Sequence, residues 1–396
     1  RESSVSLFNE LIKDKLLSEN IEENVFKYVC EVAGNRKILK SWDNELFKKI
    51  YFNKMEISFF TLIEILGDKF FESKNILLDD TKKSLNNIHM NLEHNKNKEV
   101  FSNYIQSEQS MLLGHPFHPY PKLKKGMSEE EIFKYSPEFK NKIRLKWLLT
   151  KVSAYHSNIS LKEYKKYCAS LAAFDLEDNI NLSDEYFLLP MHPWQWEQIK
   201  NEENIDNLGI VKITDGKRDW SILSSMRSIY HPNAPFQLKF ALNLKLTNSI
   251  RHLTSHELVR GQDISNALNG EYCSNFIKEP FFVSIFKSAK ICVQFRENPK
   301  IDLKCHFLLS SLCETNPRSN NSYLLDKLDP SNKDYSSKAW FQTFLNNCID
   351  PILNLYETKQ ILLGAHMQNL ILKLDKNLNV VNFLFRDFQG TGFTLD

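Results

Sequence analysis

A two-residue alternation between positions 236 and 251 constrains the fold of this chain more than any other feature. Its apolar members would share one face of an extended strand: Phe236, Leu238, Phe240, Leu242, Leu244 and Leu246. Its polar members would share the other face: Gln237, Lys239, Asn243, Lys245 and Thr247. The pattern predicts a β-strand with one face in the core and one face that is cationic and able to hydrogen-bond.

The cations near this strand predict an anion site. Lys239 and Thr247 lie eight positions apart, roughly 26 Å along a straight strand, so they either flank a bend or contact different parts of a long ligand. Arg227 and Arg251 would add two guanidinium forks to the point charge of Lys239, a set suited to phosphates and carboxylates. The alternative is a solvated sheet face whose charges form surface ion pairs.

The overall composition limits the class of ligand. The chain has 51 Lys and Arg against 49 Asp and Glu, a net charge of +2, which excludes the broad positive field that holds nucleic acid or an anionic membrane. No apolar run reaches the roughly 18 residues of a membrane span, and the first residues lack the apolar core of a signal peptide. Seven scattered Cys without a CxxC pair argue against a disulfide framework and a zinc site. We expect a cytoplasmic protein that binds small anions through local contacts.

Two His-Pro elements interrupt the chain before this strand. In the first, Pro residues follow His115 and His118 directly, so both imidazoles lie on a stiff, extended segment that also carries Lys122. Such a segment can present side chains to a ligand, or it can be a rigid connection whose histidines bond to nearby carbonyl groups. In the second, His192 separates a short apolar strand from a helix, where it either binds a ligand or orients the junction.

An Asp-Gly pair at 215 and 216 predicts a β-hairpin. It lies between an alternating run through Ile213 and a second strand through Trp220. Such a hairpin would deliver a short polar group to a strand end: Ser224, Ser225 and Arg227.

A second hairpin is predicted near the end of the chain. His366 and Asn369 precede an apolar strand over 370–374, and a turn leads into a strand over 380–385 that ends before Asp387. The hairpin would bring the Asp387 carboxylate close to the Asn369 amide oxygen. Both are hard ligands suited to magnesium on a nucleotide, although an Asn cap and an Asp in a tight turn would have the same pattern.

Taken together, these segments resemble the NRPS-independent siderophore synthetases, the family that includes the aerobactin and achromobactin synthetases. The resemblance covers about residues 105 to 392 and rests on order and spacing as well as identity. Its elements are GHPFHPYPK, LLPMHPWQ, SSMR, LKFALNLKLTNSIR, AHMQN and RDFQG.

The resemblance implies an α+β fold shaped like a cupped hand, with antiparallel sheets that carry the ATP site, and commonly a homodimer. It suggests a mainly helical, thumb-like region over 1–110, a fingers-like region over 111–255 and a palm-like region over 256–396. Family members usually continue well past the RDFQG element, so we expect the last region to be incomplete.

The resemblance also implies a ligase that uses ATP and magnesium. Such an enzyme adenylates a carboxylate of citrate or a citrate derivative, releases pyrophosphate, and passes the acyl group to an amine or a hydroxyl. By position, the groups on the ATP and metal side would be Ser224, Ser225, Arg227, Lys239, His366, Asn369 and Asp387. The groups on the carboxylate side would be His115, His118, Lys122, Thr247, Arg251 and His366. Lys239, Arg251 and His366 would be catalytic, with His366 a candidate base because neutral imidazole accepts a proton near pH 7.

Two departures from the family pattern leave the identity of the acid open. Gly364 stands where the family often has Glu, and Lys124 stands where Arg is common, although Lys cannot make the same bidentate contact.

Two other functions remain possible from the sequence. A kinase-like phosphotransferase would also use an H-x-x-N element and a strand-end Asp, but no Gly-rich loop is present near the beginning of the chain. A citrate- or siderophore-binding protein without turnover is the other possibility, and Gly364 is the residue that motivates it.

Overall fold

The computed structural model divides the chain into two compact units. The first comprises Arg1–Asn97, Leu112–Met127 and Lys245–Ser249, and the second comprises Lys98–Met111, Ser128–Leu244 and Ile250–Asp396. The expected division near residues 110 and 255 stays a prediction. The residues described are 50–52, 55–57, 74–96, 101–114, 120–177, 182–202, 205–247, 249–268, 273–298, 301–316, 319, 322–328 and 333–394. Most of the expected helical region over 1–110, together with His115 and His118, lies outside them.

Helices and short strands alternate along the described residues. The helices are α1 (Lys74–Asn95), α2 (Tyr104–Glu108), α3 (Glu129–Tyr135), α4 (Leu161–Leu176), α5 (Pro193–Glu202), α6 (Ser255–Ala267), α7 (Leu309–Cys313), α8 (Tyr323–Lys327), α9 (Lys333–Phe344) and α10 (Asp350–Lys359). The strands are β1 (Ile50–Phe52), β2 (Met55–Ile57), β3 (Lys124–Lys125), β4 (Lys142–Ile143), β5 (Lys146–Lys151), β6 (Tyr155–Ser157), β7 (Tyr186–Met191), β8 (Ile210–Asp215), β9 (Trp220–Ile222), β10 (Ser228–Tyr230), β11 (Phe236–Phe240), β12 (Leu242–Leu246), β13 (Ser249–Arg251), β14 (Phe281–Ile285), β15 (Cys292–Glu297), β16 (His306–Leu308), β17 (Ile361–Leu362), β18 (Leu370–Leu374), β19 (Val380–Phe385) and β20 (Gly392–Phe393). None of the described helices combines the length and the apolar character needed to cross a bilayer.

The largest sheet of the described residues lies in the second unit. It has seven strands in the order β4-β9-β10-β11-β15-β14-β6, and every pair is antiparallel. Within it, Gln237 lies opposite Arg296 and Lys239 lies opposite Gln294. Because directly opposed residues share a face, Lys239 and Arg296 project from the same side of neighbouring strands.

The predicted long strand is in fact two strands. β11 ends at Phe240, β12 begins at Leu242, and the Ala241 N–H bonds to the Cys292 carbonyl between them at 3.0 Å. β11 belongs to the seven-stranded sheet, whereas β12 pairs with β3. The polar face of β11 is buried, with Lys239 fully buried, so the alternative of a solvated sheet face is wrong for this strand.

The hairpin predicted at the Asp-Gly pair is wrong. β8 pairs with β5, while β9 pairs with β10 and β4, so Gly216 lies in a crossover between two sheets. The need for Gly at 216 comes instead from the buried Asp175 carboxylate, which approaches closely and accepts hydrogen bonds from the indole N–H groups of Trp147 (2.6 Å) and Trp220 (2.9 Å). A Cβ atom on Gly216 would lie 2.2 Å from an Asp175 oxygen.

The second predicted hairpin is confirmed. β18 pairs with β19 from Leu370 opposite Phe385 onwards. The Arg386 N–H then donates to the Asn369 carbonyl at 3.1 Å, which puts the residue after Arg386 beside the start of β18. The strand ends that carry Asn369 and Asp387 are therefore adjacent.

An apolar core anchors this hairpin. One continuous buried cluster joins β18 and β19 to α9 and α10 through Leu372, Phe383, Trp340 and Leu355. The side chains of this cluster hold the hairpin against the helices, so the polar residues at its open end have a rigid support.

In the first unit, α1 turns a polar stripe inward. Its Asn87 amide donates to the Lys122 carbonyl (2.8 Å), its Asn91 amide donates to the Leu112 carbonyl (3.0 Å), and its Ser84 hydroxyl accepts the Lys122 N–H (2.9 Å). These bonds fix the two ends of the segment that contains the first His-Pro element, because buried polar groups keep their partners.

We expect Gly216→Ala to lower the free energy of unfolding by about 2 kcal/mol, because the new methyl group must displace a carboxylate that two indoles hold in place. Gly392→Ala is the matched control, since a Cβ atom there meets nothing within 4 Å. Urea denaturation of both variants measures the difference. Equal stabilities would contradict the close approach described above.

Candidate active site

A buried ion pair between Lys239 and Asp387 lies at the centre of the site. The Lys239 Nζ atom is 2.8 Å from Asp387 Oδ1 and 2.9 Å from Oδ2, and it donates to Gln389 Oε1 at 2.7 Å. The Lys239 side chain is fully buried, whereas the Asp387 side chain is 22% exposed. The site is therefore anchored from the sheet side and open on the Asp387 side.

Two arginines surround this pair. Arg296 Nη2 is 3.1 Å from Asp387 Oδ2, and its Nε atom donates to the buried Glu279 carboxylate at 2.6 Å. Arg227 Nη2 donates to Gln389 Oε1 at 3.0 Å. Three cations thus face two carboxylates, which leaves an excess of positive charge in the cluster.

Burial and charge set the protonation of the cluster. Burial raises the pKa of Asp387, but Lys239, Arg296 and Arg227 together hold that pKa well below its usual range. Burial, with help from both arginines and against the attraction of Asp387, lowers the pKa of Lys239 to about 7. Burial also lowers the pKa of Arg227 to about 10. An anionic ligand would favour the charged forms of these cations, so the cluster is suited to bind one.

The loops that supply Arg227 and Asp387 have strained backbones. Asp387 has φ 71° and Met226, directly before Arg227, has φ 65°. A left-handed conformation costs a residue other than Gly about 1 kcal/mol, and such strain clusters at ligand sites. Directly before Met226, the Ser225 hydroxyl is buried and has no hydrogen-bond partner among the described residues.

Arg251 joins the cluster through its backbone. Arg227 Nη1 donates to the Arg251 carbonyl at 3.4 Å and to the His252 carbonyl at 3.3 Å. Burial lowers the pKa of the Arg251 guanidinium, and the nearby Asp387 charge opposes that change. The predicted trio of Arg227, Lys239 and Arg251 is therefore brought together in the second unit.

His366 and Asn369 form a second pair of predicted residues in contact. The Asn369 amide nitrogen lies 3.2 Å from His366 Nε2 and 3.2 Å from the Gly364 carbonyl. Because an amide N–H can only donate, His366 Nε2 accepts and the ring proton lies on Nδ1. His366 is exposed and Asn369 is buried, so the imidazole is accessible to a ligand.

Gly364 packs against the RDFQG element. A Cβ atom at this position would lie 2.8 Å from the Gly390 carbonyl oxygen, and the Gly364 N–H donates to Thr391 Oγ1 at 3.3 Å. The family's Glu could not replace Gly364 without a backbone shift. This departure from the family pattern therefore has a steric cause.

The remaining predicted carboxylate-side residues lie in the first unit or outside the described residues. Lys122 is buried, and Thr247 has φ 55° and donates its N–H to the Leu123 carbonyl at 3.2 Å. His115 and His118 lie outside the described residues.

His192 orients a junction. The ring is fully buried, its Nδ1 accepts the Trp194 N–H at 3.2 Å, and burial lowers its pKa to about 3. A neutral imidazole that caps the first turn of α5 agrees with the prediction that His192 orients the junction and not with the prediction that it binds a ligand.

The sequence reasoning missed several residues of the site. The alternation of β15 could have indicated Arg296, because Gln294 and Arg296 interrupt apolar neighbours at two-residue spacing. Gln389 lies in the RDFQG element, of which only the Asp was predicted to be a site residue. Glu279 and Glu108 lie outside every motif, so no local signal identifies them.

Comparison with known proteins identifies the family. The model of the IucA / IucC family matches residues 103–314, more than half of the chain. The chain belongs to this family. Residues 338–396 also match a model described as ferric iron reductase FhuF-like transporter.

Curated relatives are siderophore biosynthesis proteins. The rhizobactin siderophore biosynthesis protein RhbC of Rhizobium meliloti is 29% identical over 72% of this chain and 54% of its own length. The L-2,3-diaminopropanoate–citrate ligase of Staphylococcus aureus is 28% identical over 79% of this chain and 58% of its own length. The chain thus spans a little over half the length of these relatives.

Solved structures share the fold. The ATP-bound aerobactin synthetase IucA from a hypervirulent pathotype of Klebsiella pneumoniae has a TM-score of 0.76 at 21% identity, over 85% of this chain and 67% of that one. The petrobactin biosynthesis protein AsbB from Bacillus anthracis has a TM-score of 0.72 at 21% identity, over 87% and 62%. The predicted α+β fold with antiparallel sheets is confirmed.

We expect Asp387→Asn to lower the free energy of unfolding at pH 7 by about 3 kcal/mol, because it leaves buried cations without a counter-charge. The folded pKa of Asp387 lies below the unfolded value of about 4, so its contribution is complete above that pH and disappears as the pH falls through the folded pKa.

Urea denaturation of the unmodified protein and of Asp387→Asn, from pH 7 downwards, measures this loss of stability. Asp219→Asn, which removes a carboxylate from an exposed ion pair with Arg144, is the control and should change little. A stability difference that persists unchanged in acid would contradict the assignment to the Asp387 charge.

Proposed function

We propose that this chain carries the nucleotide- and acid-binding part of a siderophore synthetase. It would adenylate a carboxylate of citrate or a citrate derivative with ATP, release pyrophosphate, and transfer the acyl group to an amine or a hydroxyl. The observation that carries the proposal is the buried group of Lys239, Arg227 and Arg296 around Asp387, in a chain whose relatives are named as citrate ligases.

The chemistry of the first step explains why such a cluster is needed. A carboxylate oxygen attacks the α-phosphorus of ATP, the new O–P bond forms, and the bond to the β-phosphate oxygen breaks as pyrophosphate leaves. Two anions must approach each other, so the protein contributes mainly position and charge neutralisation. Arg227 and the Ser225 hydroxyl, which has no hydrogen-bond partner among the described residues, would hold the phosphates, with the buried charge of Lys239 behind them. Arg251 would hold the carboxylate.

The hairpin end would offer magnesium two oxygen ligands. Asp387 is ionised, and the Asn369 amide nitrogen is occupied by two acceptors, which leaves its oxygen as the available ligand atom. No group of three or more His, Cys, Asp or Glu among the described residues could hold a metal alone. Asn369 and Asp387 would therefore hold a magnesium ion whose other ligands are phosphates, and the ion would neutralise phosphate charge.

His366 is suited to assist the second step. An amine that attacks the acyl-adenylate carbonyl must lose a proton as the C–N bond forms and AMP leaves. The His366 ring is exposed, and its Nε2 atom, which accepts from the Asn369 amide in this structure, would take the proton once that hydrogen bond is released. Neutral imidazole is a general base at physiological pH.

A protein that binds citrate without turnover is the second candidate. Gly364 favours it, because the close contact with Gly390 leaves no room for the acidic side chain that the family often carries there. Tight citrate binding without pyrophosphate release across a panel of amines would identify this case.

Product analysis tests the proposed reaction. With citrate, ATP, magnesium and an amine such as diaminopropionate, ornithine or diaminobutane, we expect AMP and pyrophosphate in equal amounts. ADP with a phosphorylated acceptor would instead show a kinase-like phosphotransferase and would refute the synthetase.

We expect Arg251→Ala to reduce citrate-dependent pyrophosphate exchange by about 100-fold or more, because a positioned guanidinium neutralises charge in the transition state. Arg144→Ala removes an exposed arginine from a surface ion pair and is the matched control. Near-normal exchange in the Arg251 variant would remove that residue from the mechanism.

A further inference from the structure

Glu108, the last residue of α2, forms a buried ion pair with Arg386, the residue directly before Asp387. Its Oε1 atom is 2.6 Å from Arg386 Nη1, and its Oε2 atom accepts from Arg386 Nη2 at 3.0 Å. Glu108 is fully buried and Arg386 is 3% exposed. The carboxylate thus contacts both terminal nitrogens of the guanidinium, one of them through a charge-assisted hydrogen bond, which is stronger than a hydrogen bond between neutral groups.

The pair connects two of the loops that form the proposed nucleotide site. The Ser224 N–H donates to Glu108 Oε2 at 3.1 Å, and Arg386 Nη2 also lies 3.3 Å from Ser224 Oγ. The same Nη2 atom donates to the Gln368 carbonyl at 3.0 Å, while the Gln368 amide donates to Ser224 Oγ at 3.3 Å. The loop before Arg227 and the turn that carries His366 and Asn369 are therefore tied to one carboxylate.

The loop that Glu108 holds is the strained one. Met226 has φ 65°, and its N–H donates to the Leu223 carbonyl at 2.8 Å. The neighbouring Ser225 hydroxyl is buried, and none of the residues that the structure describes bonds to it. A loop with a left-handed residue and an unpaired buried hydroxyl keeps that shape only where its surroundings hold it, and Glu108 bonds to its backbone directly.

We propose that Glu108 is a positioning residue for nucleotide binding. Through Ser224 and Arg386 it would set the orientation of Ser225 and Arg227 without contact with the nucleotide. This inference rests on the proposed function, since it assumes that the loop binds ATP phosphates. It adds a residue from a helix that carries none of the recognisable motifs.

The alternative is that Glu108 only stabilises the fold. Asp175 provides a matched comparison, because it is also a fully buried carboxylate with two strong donors, the indoles of Trp147 and Trp220. Asp175→Asn should destabilise the protein without an effect on nucleotide affinity. Glu108→Gln should destabilise the protein and also weaken nucleotide binding.

The experiment measures magnesium-ATP affinity by titration calorimetry, together with hydrogen exchange of the amides of 224–227 in the ligand-free protein. For Glu108→Gln we expect about tenfold weaker binding, because one charge-assisted hydrogen bond to the loop is lost, and faster exchange at Ser224. For Asp175→Asn we expect affinity and exchange as in the unmodified protein. Glu108→Asp keeps the charge next to Arg386 but is one methylene shorter. It replaces Glu108→Gln in both measurements if Glu108→Gln does not fold.

The outcomes separate this inference from the proposed function. If the unmodified protein binds magnesium-ATP and the Glu108 variants bind it equally well, Glu108 is structural only and the inference is wrong, while the proposed function stands. If the unmodified protein binds no magnesium-ATP, the proposed function fails and the inference fails with it.

Discussion

The ion pair between Lys239 and Asp387 joins parts of the chain that are 148 positions apart. It ties the central sheet strand β11 to the loop that follows the hairpin of β18 and β19, in a place where Lys239 has no access to water. A buried ammonium group needs a counter-charge within hydrogen-bond distance, so the loop must come to the strand if the protein is to fold. The position of Gln389, and through it of Arg227, follows from this one contact.

The surplus of positive charge around the pair is the property that relates the fold to the proposed function. Cations in a sheet interior are destabilised by lost hydration, and Glu279 and Asp387 compensate only part of that loss. An anionic ligand would supply the rest, which would couple binding at this site to the stability of the whole second unit.

The sequence predicted the elements whose causes are local. The alternation from Phe236 indicated a strand with Lys239 on its polar face, and the hairpin that returns Asp387 to Asn369 needed only a short turn. The predictions were wrong or incomplete where a residue distant in the sequence determines the local structure. Gly216 suggested a turn, but its cause is the approach of Asp175 from α4. Arg296 is identified only by the strand register, and Glu108 only by the packing of α2. Neither the register nor the packing is encoded in a short motif.

The contact between Gly364 and Gly390 makes the position where the family often carries an acidic residue and the turn after Asp387 geometrically dependent on each other. Gly390 closes the turn that begins at Asp387, and its carbonyl occupies the volume that a side chain at 364 would need. An acidic residue grafted at 364 would therefore push on the turn that carries the Asp387 carboxylate. Under the proposed function, acid preference could not be changed at position 364 alone: Gly364 and Gly390 would have to be redesigned together, with a new path for the 388–391 backbone.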